Sequence, residues 1–105
     1  MKFRVVITPE AEQDLRAAFR YIRAQSADAA REWLKGARQA IRSLSQNPER
    51  ASVAPENSAF DETILQLFYG KGNRGTYRVL FTILGRKVFV LHVRHGSMLP
   101  LKSGN

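Results

Sequence analysis

The segment YRVLFTILGRKVFVLHVRHG, residues 77–96, limits what this chain can fold into more than any other stretch does. Two apolar, β-branched runs flank a Gly-Arg pair, which is the pattern of a β-hairpin closed by a two-residue turn with glycine in its first central position. If Gly85 and Arg86 are the turn, Leu84 faces Lys87 and the rest of the register follows. Side chains alternate across a sheet, so Tyr77, Val79, Phe81, Ile83, Val88, Val90, His92 and Arg94 share one face. Arg78, Leu80, Thr82, Leu84, Lys87, Phe89, Leu91, Val93 and His95 share the other. This register predicts Arg78 opposite Val93, with His95 its diagonal neighbour on the same face.

The remaining segments supply partners for that hairpin. Phe3–Ile7 reads as a short strand, stopped where Thr8 can cap a helix and Pro9 can take its first position. Ala11, Leu15, Ala18, Phe19 and Ile22 recur at helical spacing, and after Ser26 or Asp28 as the next cap the period continues through Ala30, Trp33, Leu34, Ala37, Ile41 and Leu44 until Asn47-Pro48. Trp33, within an apolar helical stripe, is expected in the core. Residues 47–63 have two prolines and no period and read as a loop with room for a helical turn; Ile64–Gly70 reads as the next strand, and the glycine-rich basic stretch GKGNRG connects it to the hairpin. That stretch lacks the spacing of a phosphate-binding loop. The order is β-α-α-β-β-β: an α+β fold with an antiparallel-rich sheet and a helical hairpin packed on one face. One domain over residues 1–105 is expected, with 97–105 a flexible tail, marginal in stability unless a partner adds buried surface.

Charge points to the kind of partner. The net charge is +8, and all nine acids lie at or before Glu62, whereas residues 63–105 hold Lys71, Arg74, Arg78, Arg86, Lys87, Arg94 and Lys102 with no acid. Such a one-signed field attracts a polyanion or an acidic protein segment. At the open end of the hairpin the register gathers Arg78 and His95 on one face and Arg94 beside Tyr77 on the other, with Lys71 and Arg74 arriving from the preceding loop. Arginine can hold phosphate bidentately and stabilise charge at a developing pentacovalent phosphorus, and a histidine titrating near neutrality can move a proton. Together these groups read as an anion site, in which Arg78 and His95 are of the types that a ribonuclease acting through the 2′-OH needs, and Lys71, Arg74, Tyr77 and Arg94 are the candidate contacts to a target or nucleic acid. A lone arginine at a strand end is commonly only solvated, His92 reads as structural, and Tyr77 reads as packing that can also stack on a base. There is no cysteine, and no His/Asp/Glu cluster has ligand spacing, so neither a metal nor another cofactor is expected. The apolar N-terminal stretch is too short for a signal peptide and no run reaches membrane-spanning length, so a soluble, cytoplasmic protein without a membrane partner is expected.

The layout TPEAEQDLRAAFRYI, a second helix ending in SLSQNP, and LFYGKGNRGTYRVLFTILGRKVFVLHVRHG together resemble the RelE/ParE superfamily of type II toxin–antitoxin toxins. The resemblance spans residues 3–96, and the YRVLFTI and VFVLHVRHG strands carry most of it. It implies a small basic α+β toxin that arrests bacterial growth and is neutralised by a partly disordered cognate antitoxin in a hetero-oligomer, as part of a plasmid-stabilisation-like module. RelE-like members cleave mRNA in the ribosomal A site, which would give Arg78 the arginine role and His95 the acid/base role. However, the strand expected to hold a lysine pair reads ILQLF, and SMLPLKSGN lacks the expected late arginine or tyrosine. ParE-like members inhibit DNA gyrase without cleaving RNA, and the closing HG resembles that branch more. Three functions stand from the sequence: a gyrase-inhibiting toxin, which is favoured; a metal-independent ribosome-dependent endoribonuclease; and an inactive scaffold that only binds an antitoxin or nucleic acid.

Overall fold

The computed structural model describes residues 2–59, 62–70 and 75–97. Strand β1 (Arg4–Ile7) leads into α1 (Pro9–Arg23) and α2 (Ala27–Arg42), followed by a two-residue β2 (Ser52–Val53), β3 (Leu65–Tyr69), β4 (Tyr77–Leu84) and β5 (Lys87–His95). Both helices start where side chains can satisfy their first free N–H groups. The Thr8 hydroxyl accepts from Ala11 N and the Ser26 hydroxyl from Ala29 N, Pro9 stands in the first turn of α1, and acids begin each helix while arginines end it. The predicted starts are therefore observed.

The strands form one sheet in the order β1-β5-β4-β3-β2, with β1 parallel to β5 and every other pair antiparallel. This is the expected α+β architecture. The expected loop over 47–63 additionally contains β2, whose two residues pair with β3 at Ser52↔Gln66 and Val53↔Leu65. Two residues give no readable alternation, and the prolines on either side mask the strand.

The helices cover one sheet face. Leu15 and Ile22 of α1 and Trp33, Ala37 and Ile41 of α2 pack on Tyr77, Val79, Phe81, Val88, Val90 and Val93. Trp33 is 4% exposed and lies edge-on to Tyr77 at 4.9 Å and to Tyr69 at 6.1 Å, as a core residue should. Tyr69 fits under α2 because position 36 is glycine: a Cβ there would come within 2.1 Å of its hydroxyl oxygen, which donates to Trp33 O at 3.0 Å. The opposite sheet face is also covered, where Ala54 after β2 and Ile64 before β3 pack with Leu80. Residues Tyr77–Thr82 are consequently buried without interruption. The central strand has a core on both sides.

The hairpin turn forms as predicted: Gly85 takes φ +62° and Arg86 does not turn positive, as a glycine-first turn requires. Leu84↔Lys87, Ile83↔Val88, Thr82↔Phe89 and Phe81↔Val90 pair in the predicted register. The prediction then fails. A β-bulge follows, Leu80 opposes His92, and beyond it Val79↔Val93, Arg78↔Arg94 and Tyr77↔His95 are the pairs. Leu91 is the extra residue. The predicted Arg78–Val93 opposition and the Arg78–His95 diagonal are thus corrected: Val93 faces the helices, and His95 faces Tyr77. The cause lies on the outer edge of β5, where β1 pairing stops at Ile7↔Val90 and Thr8 takes over, its N–H and its hydroxyl both donating to Val90 O, at 3.1 and 2.7 Å. The strand is held there by a helix cap rather than by another strand.

Candidate functional site

Arg78 lies under the segment that covers the second sheet face. Its guanidinium donates to both carboxylate oxygens of Glu56 at 2.8 Å and to Gln66 Oε1 at 3.2 Å. The side chains of Arg78 and Glu56 are 8% and 0% exposed. This is the fork-on-carboxylate geometry that arginine favours, with almost no water to screen it. The hydrogen bond to Glu56 raises the guanidinium's already high pKa, against the opposing effect of burial. Arg78 therefore stays cationic at any working pH and can act only by its field, never as a proton donor. Glu56 already occupies that field.

His95 lies at the end of β5 with its ring edge-on to Tyr77 at 5.0 Å. The Ser97 backbone N–H donates to His95 Nδ1 at 3.1 Å, and the Ser97 hydroxyl is 2.7 Å from the same nitrogen. With Nδ1 accepting, the proton of the neutral ring is on Nε2. Nε2 abuts Gly75, where a Cβ would approach it to 2.9 Å and where φ is +74°. Glycine is needed there for both its backbone angle and its lack of a side chain.

A third cluster ties α1 to β5. Asp14 accepts from the Val93 N–H at 2.9 Å and lies 3.1 Å from His92 Nδ1. It closes the strand edge that β1 leaves open, and the structural expectation for His92 is met.

The open end of the sheet holds a shallow depression of about 610 Å³ lined by Phe68, Gly70, Thr76, Arg78, His95 and Gly96. Arg78 and His95 both reach it, but from successive residue pairs of the β4–β5 ladder: Arg78 opposes Arg94 and His95 opposes Tyr77. Tyr77 is buried against Trp33, while Arg94 is half-buried. Lys71 and Arg74 lie outside the described residues, as does the tail beyond Ser97. Glu56, Gln66, Asp14 and Gly75 were not singled out from the sequence. A glutamate between prolines and loop residues has no marker of burial, since its partner is fixed only when the segment folds over β4. Among the described residues no group of three or more histidine or acidic side chains could hold a metal ion, and no helix is long and apolar enough to cross a membrane.

Comparison with known proteins places this geometry. The family model of the ParE toxin of the type II toxin–antitoxin system, parDE, matches residues 5–100. The chain belongs to the ParE toxin family. As a type II toxin, it is by the family's description one half of a toxin–antitoxin system. A solved structure described as the chromosomal ParDE TA system from P. aeruginosa superposes with a TM-score of 0.68 at 17% identity, covering 90% of this chain and 96% of that chain. At that identity the likeness shows a shared fold. A comparison with curated proteins found no match. Membership of the ParE family agrees with the two-helix, five-strand architecture and with the superfamily suggested by the strand motifs.

Proposed function

We propose that this ParE-family toxin arrests growth in the cytoplasm by binding and blocking DNA gyrase, and that a cognate antitoxin silences it, without cleavage of RNA. The observation that carries this reading is the buried Arg78–Glu56 pair. Cleavage through the 2′-OH needs an unoccupied cation beside a proton-transfer group at the reacting phosphate. Here the cation is neutralised by a carboxylate, and a bulge has moved His95 out of its register diagonal. The match to the ParE family supports the same branch.

A second reading, a ribosome-dependent ribonuclease, draws on one fact: Arg78 and His95 both line the depression at the sheet's open end. The deciding experiment adds purified protein to gyrase supercoiling reactions and, in parallel, to reconstituted translation followed by primer extension on the message. The expected result is loss of supercoiling with intact message. Ribosome-dependent 5′ ends that disappear in His95→Ala, with supercoiling untouched, would establish cleavage instead. Growth that continues when the protein is expressed alone would leave only the scaffold reading.

A further inference from the structure

The helical hairpin carries a second concentration of positive charge, which counting along the chain conceals. On α1, Arg16, Arg20 and Arg23 follow one another at four- and three-residue steps, and on α2 Arg31, Lys35, Arg38 and Arg42 do the same. At 3.6 residues per turn each set falls on one stripe, about 10 Å long on α1 and about 16 Å long on α2. All are exposed except Arg38, which is half-buried. The stripes flank the outer seam between the helices, where Leu15, Phe19 and Leu34 meet Arg16, Arg20 and Arg38 around a dimple of about 140 Å³.

Two acids of the helices each cover one of these cations, and a third is committed elsewhere. Glu12 pairs with Arg38 and Asp28 with Arg31, while Asp14 turns to the β5 edge. Arg16, Arg20, Lys35 and Arg42 make no ion pair among the described residues, and Arg23 rests over the Phe19 ring at 6.0 Å. Like charges at these spacings oppose helix formation, a cost that an anion lying along the stripes would relieve.

We propose that the outer face of the α1–α2 hairpin is a docking surface for the phosphate backbone of duplex DNA. Six of the seven stripe residues are arginine, whose fork matches phosphate. Two cation rows running side by side on a pair of packed helices can meet two lines of phosphate at once, which is a duplex feature. Stacking on exposed aromatics, which single strands use, is not available on the stripes: Phe19 is half-buried beneath Arg23. An acidic amphipathic peptide would need an apolar trough, and the dimple is too small to seat a row of apolar side chains. The contact is sequence-independent, because no side chain of the stripes is placed to read a base edge while its guanidinium is on phosphate. The surface stands whether or not gyrase is the target.

The test is fluorescence anisotropy of the full chain with a short labelled duplex across a salt series. Each phosphate contact adds about 0.9 to the slope of log affinity against log salt, so Arg16→Gln/Arg20→Gln/Arg42→Gln should lower that slope by about 2–3 and weaken low-salt binding at least ~10-fold. Arg23→Gln/Lys35→Gln should act in the same direction, and Arg86→Gln/Lys87→Gln, removing charge at the sheet turn, should keep the wild-type slope. Glutamine preserves helix propensity, and circular dichroism melts verify folding. An unchanged slope in both helix variants, or an equal loss in the turn variant, would overturn the proposal. So would a single strand bound as tightly as the duplex, or polyglutamate that displaces the duplex at equal charge concentration, which would assign the face to an acidic protein.

Discussion

Replacing Glu56 by glutamine isolates the energetic role of the buried pair. The variant keeps the volume but removes the negative charge and turns an amide N–H₂ toward guanidinium N–H groups that now meet donors. Both side chains are nearly inaccessible, at 8% and 0% exposure, so water cannot take over the lost carboxylate contacts. Breaking a buried pair in this way costs about 3–5 kcal/mol. A domain of this size has a total stability of roughly 5–15 kcal/mol, so the loss is a large share of it. With a urea m-value of about 1–3 kcal/mol/M, the midpoint should fall by roughly 2 M. Replacing both partners by apolar residues, Glu56→Leu with Arg78→Met, removes the stranded charge and should return stability to within about 1–2 kcal/mol of the wild type. The assay is equilibrium urea unfolding followed by circular dichroism, run as a double-mutant cycle. A Glu56→Gln cost under about 1 kcal/mol, or no coupling between the two sites, would refute the assignment of Arg78 to structure.

Three further outcomes follow from the same geometry. Asp14→Ala should cost about 1–3 kcal/mol in urea unfolding, because the Val93 N–H loses its acceptor on an edge that β1 does not reach. Glu12 has its pKa lowered, first by the hydrogen bond from Arg38, with burial opposing and the charges of Arg38 and Arg16 assisting. A depressed carboxyl stabilises above its unfolded pKa of about 4.3 and loses that contribution as pH falls through the folded value; Glu12→Gln should therefore be less stable than wild type by under about 1 kcal/mol at pH 7, with the gap closing in acid melts. Gly75→Ala combines a left-handed backbone with a collision against the His95 ring, whereas Gly85→Ala meets nothing within 4 Å and bears only the backbone cost of about 1–2 kcal/mol. Thermal melts should rank Gly75→Ala as the more damaging.

Local signals carried most of the fold. Thr8-Pro9 and Ser26 begin the helices where the sequence places them, the apolar periods of α1 and α2 identify the buried faces, and Gly85 fixes the turn and the first four hairpin pairs. The register was lost at Leu91, a residue no different in type from its neighbours, because the bulge answers to Thr8 and Asp14, some eighty positions away in the chain. The candidate site suffered from the same blindness. Arg78 stands on a visible strand, but its partner Glu56 comes from a segment whose prolines mark only a loop. A count of charge by chain region favours the acid-free end and conceals the helix stripes, where Glu12 and Asp28 each cover only one arginine.

Trp33 is the chain's single tryptophan, and it is buried. Its indole touches Tyr77, which in turn touches His95 at the sheet's open end. The protein thereby contains its own optical reporter. Any partner that shifts His95 must displace Tyr77 and change the surroundings of the only indole, so engagement of the strand ends can be followed by intrinsic emission, without a dye. Binding confined to the outer stripes touches neither His95 nor Tyr77 and should change that emission less, so the size of one light signal distinguishes which face of the toxin is occupied.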